Sequence, residues 1–173
     1  MSALREGFLR HVAQTSMAPI GLEIVRAEGS WLYTADGRRY LDLIAGIGVS
    51  ALGHGHPAVL DAIALQARRH LHVMVYGEYV IEAQVRLAER LTRLLPAPLD
   101  CIYFTNSGAE AIEGALKTAR KRTRRGRFVA FDGAYHGDTM AALALMGNPV
   151  FRAPFEPLPQ HRTCPIEPHP RPL

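Results

Sequence analysis

A chain of 173 residues with 48% hydrophobic and 21% charged side chains is long enough to enclose a core and too apolar for a disordered polymer. The longest apolar run, Leu43 to Leu52, is broken by Gly46 and Gly48 and cannot cross a bilayer; the charged N-terminus lacks a signal peptide's apolar centre, so the cytoplasm is the expected compartment. The net charge of +4 does not mark a nucleic-acid surface, because the densest basic run, Lys117 to Arg127, falls at a helix end where cations suit the dipole, with no aromatic stacking pattern beside it.

Residues 1–19 read as a loose arm or short helix ending at Pro19. Strand patterns follow at Leu22–Ala27, Ser30–Thr34 and Arg39–Leu43, and Asp36-Gly37 between the last two is a hairpin signal. The glycine-rich stretch Ala45 to His56 implies tight turns. Pro57 suits the first turn of a helix whose apolar face would be Val59, Leu60, Ile63, Ala64, Ala67 and Leu71. A second amphipathic helix is expected from about Val80 to Leu95, with Ile81, Val85, Ala88 and Leu95 inward and Pro96 ending it.

Cys101 to Thr105 is a short apolar run of strand type, with Cys101 expected as a small buried hydrophobe. It leads into Asn106-Ser-Gly-Ala-Glu-Ala and a helix rich in small residues. Ser107 and Glu110 have the spacing of a capping box. Gly108 and Ala109 leave the first-turn N–H groups open to an anion, so the turn is either a well-capped helix start or a phosphate site. Arg127–Phe131 is the next strand, Asp132 to Gly137 a loop, and Asp138 or Thr139 the cap of a short helix from Met140 to Met146. Alternating strands and helices imply a parallel sheet, whose ligands bind beyond the strand carboxyl ends. The turns at Asn106–Ala109 and Asp132–Gly137 both lie at that end and could share a site. Eight of the twelve prolines fall between Pro149 and Pro172, and residues 159–173 read as an extended, unpacked tail. The histidine pairs His54/His56 and His70/His72 have no Cys, Asp or Glu cluster to complete a metal site.

A phosphate on Gly108 and Ala109 with a ring beside Tyr135 suits a phosphorylated heteroaromatic such as pyridoxal phosphate. A nucleotide would also suit, but the glycine-rich nucleotide fingerprints are absent. The motifs Asp36-Gly-Arg-Arg-Tyr-Leu-Asp, Leu52-Gly-His-Gly-His-Pro, Asn106-Ser-Gly-Ala-Glu-Ala and Ala134-Tyr-His-Gly, in this order, resemble the class III, fold-type I pyridoxal-phosphate aminotransferases from Gly21 to Leu158. That group includes the ornithine, acetylornithine and 4-aminobutyrate aminotransferases.

The resemblance implies an α/β fold: a small antiparallel unit in residues 1–50, part of a mostly parallel cofactor domain in 51–158, and a non-family tail in 159–173. It implies pyridoxal 5'-phosphate held by Ser107, Gly108 and Ala109, with Tyr135 stacked on the ring and His136 beside it. Ile47 and Tyr76 would lie near the substrate. The implied reaction moves an amino group from an amino acid or amine to a 2-oxo acid in a homodimer.

The Schiff-base lysine has no counterpart, because the only lysines, Lys117 and Lys121, lie on the helix after the turn. The chain therefore reads as a truncated or frameshifted product, inactive and poorly soluble alone. The alternative reading is a non-catalytic module that pairs with a full-length homologue.

Overall fold

The computed structural model describes residues 2–74, 77–158 and 162–164. The chain divides into two compact units, Met1–Tyr79 and Val80–Leu173. In the first, Ser2 caps helix α1 (Ala3–His11), its hydroxyl accepting from Arg5 N at 3.1 Å. Strands β1 (Ile24–Glu28), β2 (Trp31–Thr34) and β3 (Arg39–Leu41) then form an antiparallel meander in the order β1-β2-β3.

The expected Asp36-Gly37 turn joins β2 to β3. Asp36 Oδ1 accepts from the Thr34 hydroxyl at 2.6 Å, and Gly37 supplies the positive φ of 82°. Arg39 lies over the Trp31 ring, 4.5 Å from its centroid, and Arg26 over Tyr33 at 3.7 Å. These contacts use the arginine stems and heads to cover the sheet's aromatic side.

Residues Ala45–Gly48 (α2) form a single turn wound in the left-handed sense, with φ values of 49°, 61°, 60° and 80°. Helix α3 (Pro57–Arg69) starts with proline in its first turn, as the sequence indicates. Its apolar face is not buried: Ile63 is 60% and Leu71 85% exposed. The amphipathic pattern is present, but among the described residues no helix or strand packs against α3. Leu52, His56, Val59, Ile63 and Leu71 instead line an open groove of about 550 Å³.

The second unit begins with α4 (Glu82–Thr92), shorter than the expected Val80–Leu95 helix. Val85 and Leu95 remain exposed, for the same lack of a packing partner among the described residues. Cys101–Thr105 forms no strand, and Cys101 is exposed. An extended run becomes a strand only where a neighbouring strand takes up its backbone groups, and among the described residues none lies beside this one.

Helix α5 (Gly108–Thr123) follows, ending at Arg124 in the left-handed conformation. Strand β4 (Val129–Phe131) pairs in parallel with β5 (Arg162–Cys164), register Val129 to Arg162 and Phe131 to Cys164. The tail, expected to be extended and without a strand period, thus contains a short strand at Arg162–Cys164. Three residues are too few to show a strand period, and pairing is set by the partner.

Helix α6 (Met140–Ala144) is followed by α7 (Pro149–Arg152) and a 3-10 turn at Ala153–Phe155. The buried apolar residues are Ala130 of β4 and the run Ala142, Leu143, Ala144, Leu145 and Met146. Among the described residues the core thus sits around α6, directly behind the loop that leaves β4.

Candidate functional site

The polar turn before α5 has the capping geometry implied by its sequence. Ser107 is the N-cap, its Oγ accepting from Glu110 N at 3.1 Å. Glu110 turns back and accepts from Asn106 N at 2.7 Å, one residue outside the usual box. The Thr105 hydroxyl donates to the Ser107 carbonyl at 3.1 Å and fixes the turn from behind. Ser107 thereby satisfies Glu110 N, and its carbonyl accepts from Ala111 N at 3.0 Å.

Among the described residues no acceptor is present for the N–H groups of Gly108 and Ala109. A Cβ placed on Gly108 would meet nothing within 4 Å, so the space beside Gly108 is open. Two unpaired N–H groups at the positive end of a 16-residue helix form an anion-binding surface.

The second turn reaches the first. Gly137, at φ 113°, approaches α5 so closely that a Cβ there would lie 2.5 Å from Ala109 Cβ and 2.9 Å from its Cα. Only glycine permits this contact. The two turns expected to share a site therefore touch at Ala109 and Gly137.

The loop is also fastened at its other end. Gly147 N donates to the Ala134 carbonyl at 3.1 Å, and a Cβ on Gly147 would overlap the backbone of Asp132 and Gly133. Between these anchors, Tyr135 is 66% exposed, its ring edge-on to Phe151 with centroids 6.1 Å apart and planes at 83°. His136 is half-buried, and among the described residues its enclosed Nε2 has no hydrogen-bond partner. A buried imidazole nitrogen left unpaired is costly, which makes His136 a group with unused bonding capacity facing inward.

The remaining expected site residues lie in the first unit. Ile47 stands on the left-handed α2 turn and is 91% exposed. Tyr76 lies outside the described residues. The α2 turn is held by Asp42, which sequence reasoning missed: Oδ1 accepts from Ile44 N at 3.1 Å and Ala45 N at 2.8 Å, while Oδ2 meets His54 Nε2 at 2.7 Å. The Asp42 side chain is 8% exposed, and its bond to His54, aided by the Ala45 amide, holds its carboxyl below the usual carboxylate range.

His54 is thus occupied with Asp42, and its backbone exchanges hydrogen bonds with Gly29 at 2.7 and 2.9 Å. His56 is the N-cap residue of α3. Among the described residues no cluster of three or more metal-ligating side chains occurs. The twelve-residue spacing from Asp42 to His54 was visible in the chain, but only the fold gives it meaning.

The aminotransferase class-III family model matches residues 12–170, and the chain belongs to this family. The match starts before Gly21 and continues past Leu158, taking in most of the tail that the motifs alone did not reach. The chain is 43% identical over 148 residues to acetylornithine aminotransferase of Methanopyrus kandleri, covering 86% of this chain and 37% of that protein. An adenosylmethionine-8-amino-7-oxononanoate aminotransferase from Methanocaldococcus jannaschii superposes with a TM-score of 0.86 at 27% identity, covering 94% of this chain and 40% of that one.

A second similar structure, an amine transaminase from an uncultivated Pseudomonas species in a PLP-bound form, gives a TM-score of 0.76 at 28% identity. It is covered over 37% of its length, and this chain over 90%. The fold is thus the fold-type I transaminase α/β architecture in part. The chain spans about two fifths of the length of the relatives it matches.

Proposed function

We propose that this chain carries the phosphate- and ring-binding part of a pyridoxal-phosphate aminotransferase site. The observation that carries the reading is the meeting of the two turns at Ala109 and Gly137. It puts an anion-binding helix start and an aromatic-bearing loop within one local framework.

The residues fit the cofactor chemically. The Gly108 and Ala109 N–H groups, with the Ser107 cap beside them, take the phosphate. Tyr135 offers its exposed ring as a stacking face. His136, whose Nε2 has no partner among the described residues, stands on the same loop and can bond a polar group of the cofactor. When bound, pyridoxal phosphate supplies the electron sink for moving an amino group between an amino acid or amine and a 2-oxo acid.

The covalent lysine of such a site comes from neither lysine of this sequence. Lys117 lies nine residues after Gly108 on α5, about 14 Å along the axis at 1.5 Å per residue, and Lys121 is one turn farther. In this reading the cup and the ring face belong to this chain, the lysine is supplied elsewhere, and the chain alone does not transaminate. The domain limits at residues 50 and 158, assembly as a homodimer, a cytoplasmic setting and the substrate-side placement of Ile47 and Tyr76 belong to the same proposal.

Titration of the chain with pyridoxal phosphate and with inorganic phosphate, followed by calorimetry, tests the reading. Gly108→Leu fills space that is empty in the structure and leaves the α5 fold intact. It is expected to weaken both ligands by about tenfold or more, the loss of one good anion contact. Lys117→Arg and Lys121→Arg are expected to change neither. Unaltered binding by Gly108→Leu, or loss of binding in the lysine variants, would overturn the assignment.

A further inference from the structure

Glu113 is an acidic side chain of α5 whose contacts the cofactor reading leaves unused. It stands on α5 one turn after Ala109, so the two side chains share a stripe of the helix surface. A single carboxylate oxygen, Oε1, accepts from three donors of another element. These are the Thr139 hydroxyl at 2.7 Å, Ala141 N at 3.1 Å and Ala142 N at 3.3 Å.

Thr139 is the N-cap residue of α6, yet its hydroxyl makes no capping bond of its own. It donates to Glu113 instead, and Glu113 takes over the two first-turn amides that a local cap would serve. The cap of α6 is therefore a carboxylate 26 residues earlier in the chain. Bonds from an ionised acceptor are among the stronger ones in a protein.

The consequence follows from the order of contacts. Along one stripe of α5, Ala109 receives Gly137 and Glu113 receives Thr139. The segment 137–139 is thus laid along the first turns of α5 with a fixed register. Tyr135 and His136 precede that segment immediately. Their height above the Gly108 and Ala109 N–H groups is set by where residues 137–139 are pinned.

We propose that Glu113 is a positioning residue for the ring-binding half of this site: it holds the Asp132–Gly137 loop in register with the anion-binding start of α5. The proposal rests on the cofactor reading for its function. Its structural content, a carboxylate latch between α5 and α6, stands separately.

The two parts are tested in the same chain with Glu113→Ala and Glu113→Gln. Glu113→Ala is expected to speed hydrogen exchange at the amides of residues 133–137 and 141–142 by about tenfold or more, while the Trp31–Leu41 hairpin exchanges as before. Its affinity for inorganic phosphate should stay within about twofold, because those donors lie on α5 itself, whereas affinity for pyridoxal phosphate falls about tenfold. Glu113→Gln, which keeps an acceptor oxygen, should restore most of the difference.

A simple helix cap would lower overall stability without changing the ratio of the two affinities. Unchanged exchange at residues 133–137 in Glu113→Ala overturns the latch, and an unchanged affinity ratio overturns its role in the site. Failure of the wild-type chain to bind either ligand overturns the cofactor reading alone, and the exchange experiment still decides the latch.

Discussion

The meander β1-β2-β3 and the parallel pair β4-β5 are both small sheets, but they are assembled from chain at very different separations. In the meander each strand meets the next through a short turn, and nearby residues carry the instructions: Asp36 and Gly37 in the turn, and the cross-strand pairs Arg26–Tyr33 and Arg39–Trp31. In the parallel pair, Val129 finds Arg162 across an intervening loop and two helices. The first kind of sheet closes on local chemistry, while the second depends on what else the chain brings alongside. The same division holds for burial. Among the described residues every buried apolar side chain belongs to the β4–α6 region, whereas the only buried residue of the meander unit is Thr34.

Several substitutions press on this contrast, and the largest effect is expected in the α6 core. Met146 is 1% exposed, so Met146→Ala should cost the second unit about 2–5 kcal/mol. Denaturant unfolding followed by exchange at β4 would register it, with no matching loss at the hairpin. Equal losses in both units would erase the distinction between them.

Gly53→Ala probes the meander unit instead. The added Cβ would stand 2.9 Å from the Gly29 carbonyl oxygen at a φ of +77°, and a cost of about 1–3 kcal/mol is expected. The reporter is the fluorescence of Trp31, the only tryptophan. A smaller effect is expected from Ser107→Ala, which removes the α5 cap and should cost about 1 kcal/mol by thermal unfolding.

A pH dependence smaller still is expected in the first unit. The Arg38 guanidinium and the Thr34 hydroxyl hold the Asp36 carboxyl low, and His54 does the same for Asp42. Both folded-state values lie below the unfolded one. Their stabilisation is therefore complete above about pH 4 and is lost as acid carries the pH down through the lowered values. Exchange at the Ile44 and Ala45 amides should accelerate below that range, and Asp42→Asn should remove the dependence.

Much of the candidate site was legible in the chain because its geometry is local. Ser107 and Glu110 announce a helix start by spacing alone, and the structure supplies the bonds. Pro57 and Asp36-Gly37 worked for the same reason. Amphipathic spacing also marked α3 and α4 correctly as helices, but periodicity reports which side chains would accept a partner, and none packs on those faces among the described residues. Cys101–Thr105 failed as a strand on the same ground, since a parallel strand is defined by neighbours and not by its own residues. Glu113 escaped notice because it acts on donors 26 to 29 residues away, and Asp42 because a lone acidic residue carries no spacing signal that points to His54.

The Ala45–Gly48 turn has a consequence for handedness. Its backbone follows a path natural to D-residues, yet Ala45 and Ile47 are L-residues, and each carries roughly 1–2 kcal/mol of steric cost in that conformation. A chain prepared by semisynthesis with D-alanine in place of Gly46 or Gly48 would meet no such penalty, and should hold the turn more firmly than the natural sequence does. The segment that displays Ile47 is thus a place where mirror-image chemistry would stiffen the protein without touching its exposed side chain.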